Sequence, residues 1–282
     1  MLVTRIADIA RLCLCGLVLA VALVAAAPPG RAASGDWVRA DHSAVRLLQG
    51  ETEGQVLMAG VEIELRHGWK TYWRMPGESG VPAEFDWSAS HNIAAVEVGW
   101  PAPRRMHDAA GEGVGYKDHV VFPLAVRLNE PGKPARLDIK LFYAVCNDIC
   151  VPAKAELAID LDAAAASSAD AVLIARYRGL MPVEDSTGRS LLSARALDQA
   201  GRPYLAVTVA PDLAGARDVD IFVEGIDQAY FRAPRPALPV AAGADYLLPV
   251  DGIAAAAALS GKMLRITWVA GDRSLFRDLK VE

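Results

Sequence analysis

The chemistry open to this 282-residue chain centres on five positions, Cys146-Asn147-Asp148-Ile149-Cys150. The other two of its four cysteines, Cys13 and Cys15, fall in an apolar N-terminal run and leave this pair to itself. In an oxidising compartment two cysteines so placed form a disulfide. As a structural staple the bridge would be weak: closing a ring of about five residues stabilises by about 2 kcal/mol, against about 4 or more for a long loop. Asn147 and Asp148 favour a turn and apolar residues flank them on both sides, so the run reads as a hairpin tip. A short bridge at an accessible tip is reducible, and bridges of that kind are the catalytic or regulatory ones. Spacing alone leaves three chemistries open: thiol–disulfide exchange, a structural staple and metal ligation. The last would combine the cysteines with His107 or His119 for zinc, or with Met75 or Met106 for Cu(I). Neither a Gly-x-Ser-x-Gly elbow nor a His-Glu-x-x-His run is present, so nothing points to a hydrolase.

An oxidising compartment is what the N-terminus predicts. Residues 1–33 read as a signal peptide: Arg5 and Arg11, the apolar run from Leu12 to Ala27, then Ala32-Ala33-Ser34, with cleavage expected near Ala32–Ala33. Losing residues 1–32 removes three Arg and one Asp from a chain whose charge is already −5. That acidity and the lack of a basic run exclude nucleic acid as a partner. A hydrophobic content of 53% is enough for a packed core and excludes intrinsic disorder.

Most of the chain alternates apolar and polar residues, the period of half-buried strands. Val56–Arg66, Asn92–Trp100, His119–Leu128, Leu137–Val145 and Lys154–Leu161 are the candidates in a first domain over 34–162. Short strands with regular turns predict an all-β, antiparallel sandwich. Residues 163–182 change character and predict a helical linker, with serine caps at Ser167-Ser168, Arg176 and Arg178 in its last turn, and Gly179 after it. Tyr204–Val209, Val219–Glu224, Tyr246–Val250 and Met263–Val269 predict a second β-rich domain over 183–282, broken by the Pro-rich Ala233–Pro239, with a further short helix over Ile253–Leu259. That domain contains no cysteine and is expected to be structural or partner-binding.

Three motifs carry a resemblance. They are Gly68-Trp69-Lys70-Thr71-Tyr72-Trp73-Arg74-Met75-Pro76-Gly77-Glu78-Ser79-Gly80, then Gly115-Tyr116-Lys117-Asp118, then Tyr143-Ala144-Val145-Cys146-Asn147-Asp148-Ile149-Cys150-Val151-Pro152. In this order they resemble the periplasmic N-terminal region of the DsbD/ScsB thiol:disulfide interchange reductases, and the cysteine spacing is closest to the ScsB-like branch. The resemblance covers about 54–162 and extends to the second domain in layout only. It implies an immunoglobulin-like redox domain, in the periplasm, that needs no organic cofactor. Electrons would come from a membrane-embedded partner and pass to thioredoxin-like proteins or isomerases. No membrane-spanning stretch follows the second domain here, so a separately encoded membrane protein, or a soluble thioredoxin-like donor, is the expected electron source.

The resemblance also assigns roles. Cys150 would attack and Cys146 resolve. A cap loop over Met106-His107-Asp108-Ala109-Ala110-Gly111-Glu112-Gly113 would swing aside for partners, with Met106 or His107 covering the sulfurs, since no aromatic stands at its centre. Tyr72, Trp73 and Tyr116 are candidates for lining the site, the sandwich core being the alternative for each. Asp148 either raises the thiol pKa values by its charge or simply forms the turn.

Overall fold

The computed structural model of the chain describes residues 34–78, 80–108, 111–162, 168–237 and 245–282. The expected signal peptide, its cleavage site and Ser167 lie outside them. No described helix is long and apolar enough to cross a membrane. Residues 34–161 form strands β1 (Val38–Arg39), β2 (Ser43–Glu53), β3 (Val56–Leu65), β4 (Lys70–Gly77), β5 (Glu84–Asp86), β6 (Ile93–Val98), β7 (Arg104–Asp108), β8 (Gly111–Lys117), β9 (His119–Leu128), β10 (Ala135–Cys146) and β11 (Cys150–Leu161). They make two antiparallel sheets in the orders β1-β2-β3-β9-β6 and β11-β10-β4-β8-β7, with β5 paired to β10. This is an immunoglobulin-like sandwich.

Alternation explains its core. On β10, Leu137, Ile139, Leu141, Tyr143 and Val145 all face the partner sheet, where they meet Val61, Ile63, Phe122 and Leu124. Asp138 and Lys140 fall on the opposite face. Helix α1 (Ser168–Arg178) follows. It packs on the outer face of the first sheet, Ile174 joining Leu48, Met58 and Val121. Gly60 leaves the room, because a Cβ there would lie 3.2 Å from the Ile174 side chain. A polar chain fastens the same helix: Tyr177 meets His119 Nδ1 at 2.7 Å, His119 Nε2 meets Glu62 at 2.8 Å, and Arg46 donates to Glu62 at 2.6 Å.

The second β-rich part begins at β12 (Val183–Glu184), β13 (Leu191–Gln199) and β14 (Arg202–Val209). After the short helix α2 (Pro211–Ala214) come β15 (Val219–Glu224), β16 (Tyr230–Phe231), β17 (Arg235–Pro236), β18 (Tyr246–Asp251), β19 (Met263–Ala270) and β20 (Arg273–Lys280). Its sheets run β12-β20-β19-β15 and β13-β14-β18-β16, with β17 against β18. They enclose a core around Trp268, Leu205, Leu248 and Ile266. The expected helix over Ile253–Leu259 is a single 3-10 turn, Ala256–Ala258. Phe222 of β15 is buried with the first core, edge-on to Trp73 at 5.7 Å.

Candidate redox site

β10 and β11 pair without interruption from Ala135↔Leu161 to Cys146↔Cys150. Asn147 donates its N–H to the Ile149 carbonyl at 3.0 Å and closes the turn. Cross-strand partners that close an antiparallel ladder have Cα atoms near the separation a disulfide needs. Here the Cα–Cα distance is 4.2 Å, and Cys146 and Cys150 are bonded through their sulfurs. The two cysteines differ in access: Cys146 is buried and Cys150 is exposed. Asp148 is exposed at the tip, beside Ile149, which is left 65% exposed.

Because odd-numbered residues of β10 fill the core, Ala144 and Cys146 face the other way. There they form a small buried cluster with Tyr72. Tyr72 reaches the sulfur pair: its hydroxyl donates toward Cys150 Sγ at 3.5 Å. Burial raises the pKa of this phenol, so it stays protonated and keeps its donor role at neutral pH. Lys70 shares the face of β4 with Tyr72, two residues earlier, and stands opposite Cys146 in register. It is 4% exposed, its ammonium 5.8 Å from the Tyr72 ring centre, and its pKa is lowered by burial and then by Lys117 nearby. Sequence reasoning did not single out Lys70, although the period of two that selects Tyr72 selects it too.

That period also separates residues expected to act together. Trp73, next to Tyr72, points to the opposite side of β4 and lies in the sandwich core. Tyr116 is likewise in the core, its hydroxyl donating to the Pro101 carbonyl at 2.8 Å and its ring edge-on to Phe122. Both take the core placement that was their alternative.

Of the expected cap loop, Ala109 and Ala110 lie outside the described residues, and the rest belongs to two paired strands. β7 and β8 pair from Arg104↔Gly115 to Asp108↔Gly111, and β8 continues the cysteine sheet by pairing with β4. Met106 is buried opposite Gly113, and the backbone of Asp108 stands opposite Gly111. His107 is exposed and meets Glu112 at 2.7 Å. Among the described contacts, none joins Met106 or His107 to a sulfur. What brings the hairpin to the site is glycine: a Cβ on Gly113 would lie 3.2 Å from the Tyr72 ring, and one on Gly115 would overlap the Thr71 carbonyl at 2.0 Å.

Metal ligation finds no assembled donor set. Among the described residues no group of three or more His, Cys, Asp or Glu is placed to hold an ion. His107 is engaged by Glu112, and His119 by Glu62 and Tyr177.

The comparisons with known proteins include this region. The N-terminal periplasmic domain of ScsB from Proteus mirabilis superposes with a TM-score of 0.67 over 88% of this chain and 98% of its own, at 21% identity, which is a likeness of fold. The N-terminal domain of Neisseria meningitidis DsbD, in the reduced form, gives a TM-score of 0.23 at 13% identity over 49% of this chain and 91% of its own. No curated protein matches the chain in sequence. Residues 42–161 match the family model described as thiol:disulfide interchange protein DsbD, N-terminal, a span that contains Tyr72, Cys146 and Cys150.

Proposed function

We propose that this protein is a periplasmic thiol–disulfide oxidoreductase, a protein-disulfide reductase that relays two electrons at a time through Cys146 and Cys150. Its partners would be thioredoxin-fold proteins or isomerases, with a membrane-embedded electron donor. One observation carries the reading: the pair closes a β-ladder with Cys146 buried and Cys150 an exposed residue whose sulfur meets the Tyr72 hydroxyl. In the reduced state the exposed Cys150 thiolate attacks a substrate disulfide. A bond forms between Cys150 Sγ and one substrate sulfur, and the other substrate sulfur leaves as a thiolate that takes up a proton. Cys146 then attacks Cys150 Sγ, restores the intramolecular bond and releases the second substrate thiolate. The substrate gains two electrons and two protons, and the protein loses them. Throughout, the Tyr72 O–H can stabilise negative charge on Cys150 sulfur.

The test is the reduction potential of the Cys146–Cys150 pair in glutathione redox buffers, read by alkylation and mass. A value between about −180 and −270 mV, the span of exchange proteins, is expected, and one well below about −300 mV would mark a structural bridge and overturn the reading.

A further inference from the structure

The polar seam between the two β-rich parts is concentrated on the elements that flank Tyr72. The side-chain hydrogen bonds described between them come from Arg74, Glu78, Arg105 and Glu112, on β4, its following turn and the β7–β8 hairpin. Arg105, on β7, is the centre. Its side chain is 5% exposed and donates to both carboxylate oxygens of Asp220 at 3.1–3.2 Å, to the Ile221 carbonyl at 3.1 Å, to the Phe231 carbonyl at 3.3 Å and to Glu112 at 2.6 Å. Glu112, on β8, also accepts the Tyr230 hydroxyl. Arg232 donates to Glu78 at 2.5 Å, and Glu78 in turn accepts the Glu112 N–H at 3.2 Å.

Such a buried ionic cluster is an inefficient way to glue two sandwiches together, because desolvation offsets much of its attraction. Its directional bonds do something apolar packing does less well: they fix one position for the hairpin. The hairpin has space to take another, since a cavity of about 410 Å³ lined in part by Arg105, Val114, Trp73, Phe222 and Tyr230 lies beside the cluster. Gly113 of the same hairpin lies against the Tyr72 ring, and Tyr72 touches Cys150.

We propose that residues 183–282 act as a clamp on the cysteine site: Asp220, Tyr230 and Arg232 hold the β7–β8 hairpin against Tyr72 through Arg105, Glu112 and Glu78, and so set how fast a thiol reaches the Cys146–Cys150 bond. The proposal rests on the exchange reading of that bond. In it Arg105, Glu112 and Tyr230 are positioning residues.

The test uses the full chain, oxidised, with dithiothreitol as the attacking thiol and alkylation with mass detection as the readout. Tyr230→Phe removes one hydroxyl at constant shape, and with it the bonds to Glu112 and from Arg105, while Arg232→Ala removes a partly exposed guanidinium; each leaves the Arg105 side chain itself in place. The double variant is expected to be reduced about tenfold faster, the effect of losing a hydrogen bond to a charged group, with the reduction potential unchanged. Hydrogen exchange of residues 104–117 is expected to quicken alongside, while the β10–β11 amides keep their protection. A rate within twofold of the parent in folded protein overturns the clamp, as does acceleration that only follows a fall in global melting temperature. A parent chain whose pair resists dithiothreitol altogether overturns the exchange reading instead, and then the exchange of residues 104–117 alone judges whether the hairpin is held.

Discussion

β10 and β11 run side by side over twelve residues each, with one continuous apolar face in the core. β7 and β8 pair over five positions, include three glycines, and depend for their position on charged groups more than a hundred residues away. Both hairpins are antiparallel, and Tyr72 lies between them, its hydroxyl at Cys150 Sγ and its ring against Gly113. The first is held by its own sequence pattern, and the second by neighbours on another sheet. The difference assigns them separate duties: one fixes the two sulfurs relative to each other, and the other governs the surroundings of Tyr72.

Two substitutions sharpen that contrast most. Leu141→Ala empties a fully packed site on β10 and is expected to cost about 2–5 kcal/mol. For a folded part of this size each kcal/mol lowers the melting temperature by about 2–4 °C, so calorimetry reads it directly. Gly115→Ala should act locally, since its Cβ would collide with a backbone carbonyl and push β8 from β4. Its expected signature is faster hydrogen exchange in residues 111–117 with most of the global stability kept. Equal loss of protection in both hairpins would erase the distinction between them.

A smaller effect is expected for Tyr72→Phe. Removing one hydroxyl donor is worth about 0.5–1.5 kcal/mol, or up to about one pH unit in the Cys150 thiol pKa. Iodoacetamide alkylation of the reduced protein across pH should show that titration moving upward, with folding unchanged. An unmoved titration would remove Tyr72 from the chemistry.

The mildest test is acid. Burial opposes ionisation of Glu112, but the Tyr230 and Arg105 hydrogen bonds and the Arg105 charge outweigh it, and the carboxyl is held below its usual range. Glu78 is also held low, chiefly by its bond from Arg232. Carboxylates depressed in the folded state contribute fully above the ordinary glutamate value of about 4.3, and that contribution is lost as pH falls through their lowered folded values. The β7–β8 hairpin is therefore expected to loosen below about pH 4 while β10–β11 persists. Reduction of the disulfide by a phosphine, which works in acid, should speed up over that range before far-ultraviolet dichroism changes.

The sequence made the cysteine hairpin and several strands legible for a local reason. Apolar runs bounded by turn-forming and charged residues placed His119–Leu128 and Val219–Glu224 at their observed ends, and Asn147-Asp148 marked the turn. Other strands were missed, among them Ser43–Glu53, buried at nearly every position of its first eight, and the pair Arg104–Asp108 and Gly111–Lys117, whose glycines and charges look like a loop. In that second case glycine is needed because Tyr72 and the Thr71 carbonyl occupy the space of a side chain. The Arg105–Asp220 pair spans 115 residues and leaves no trace in local spacing. Trp73 shows the cost of reading a motif as a block, because neighbours on a strand face opposite sides.

Ile149 gives the tip a further property. A protein docking at Cys150 must cover this one bare aliphatic side chain, and burying it fully yields only about 1.5–3 kcal/mol. A micromolar complex needs about 8 kcal/mol. A patch this small favours brief encounters over lasting complexes, so that under the proposed exchange the covalent link between sulfurs, rather than affinity, would decide how long two proteins stay together.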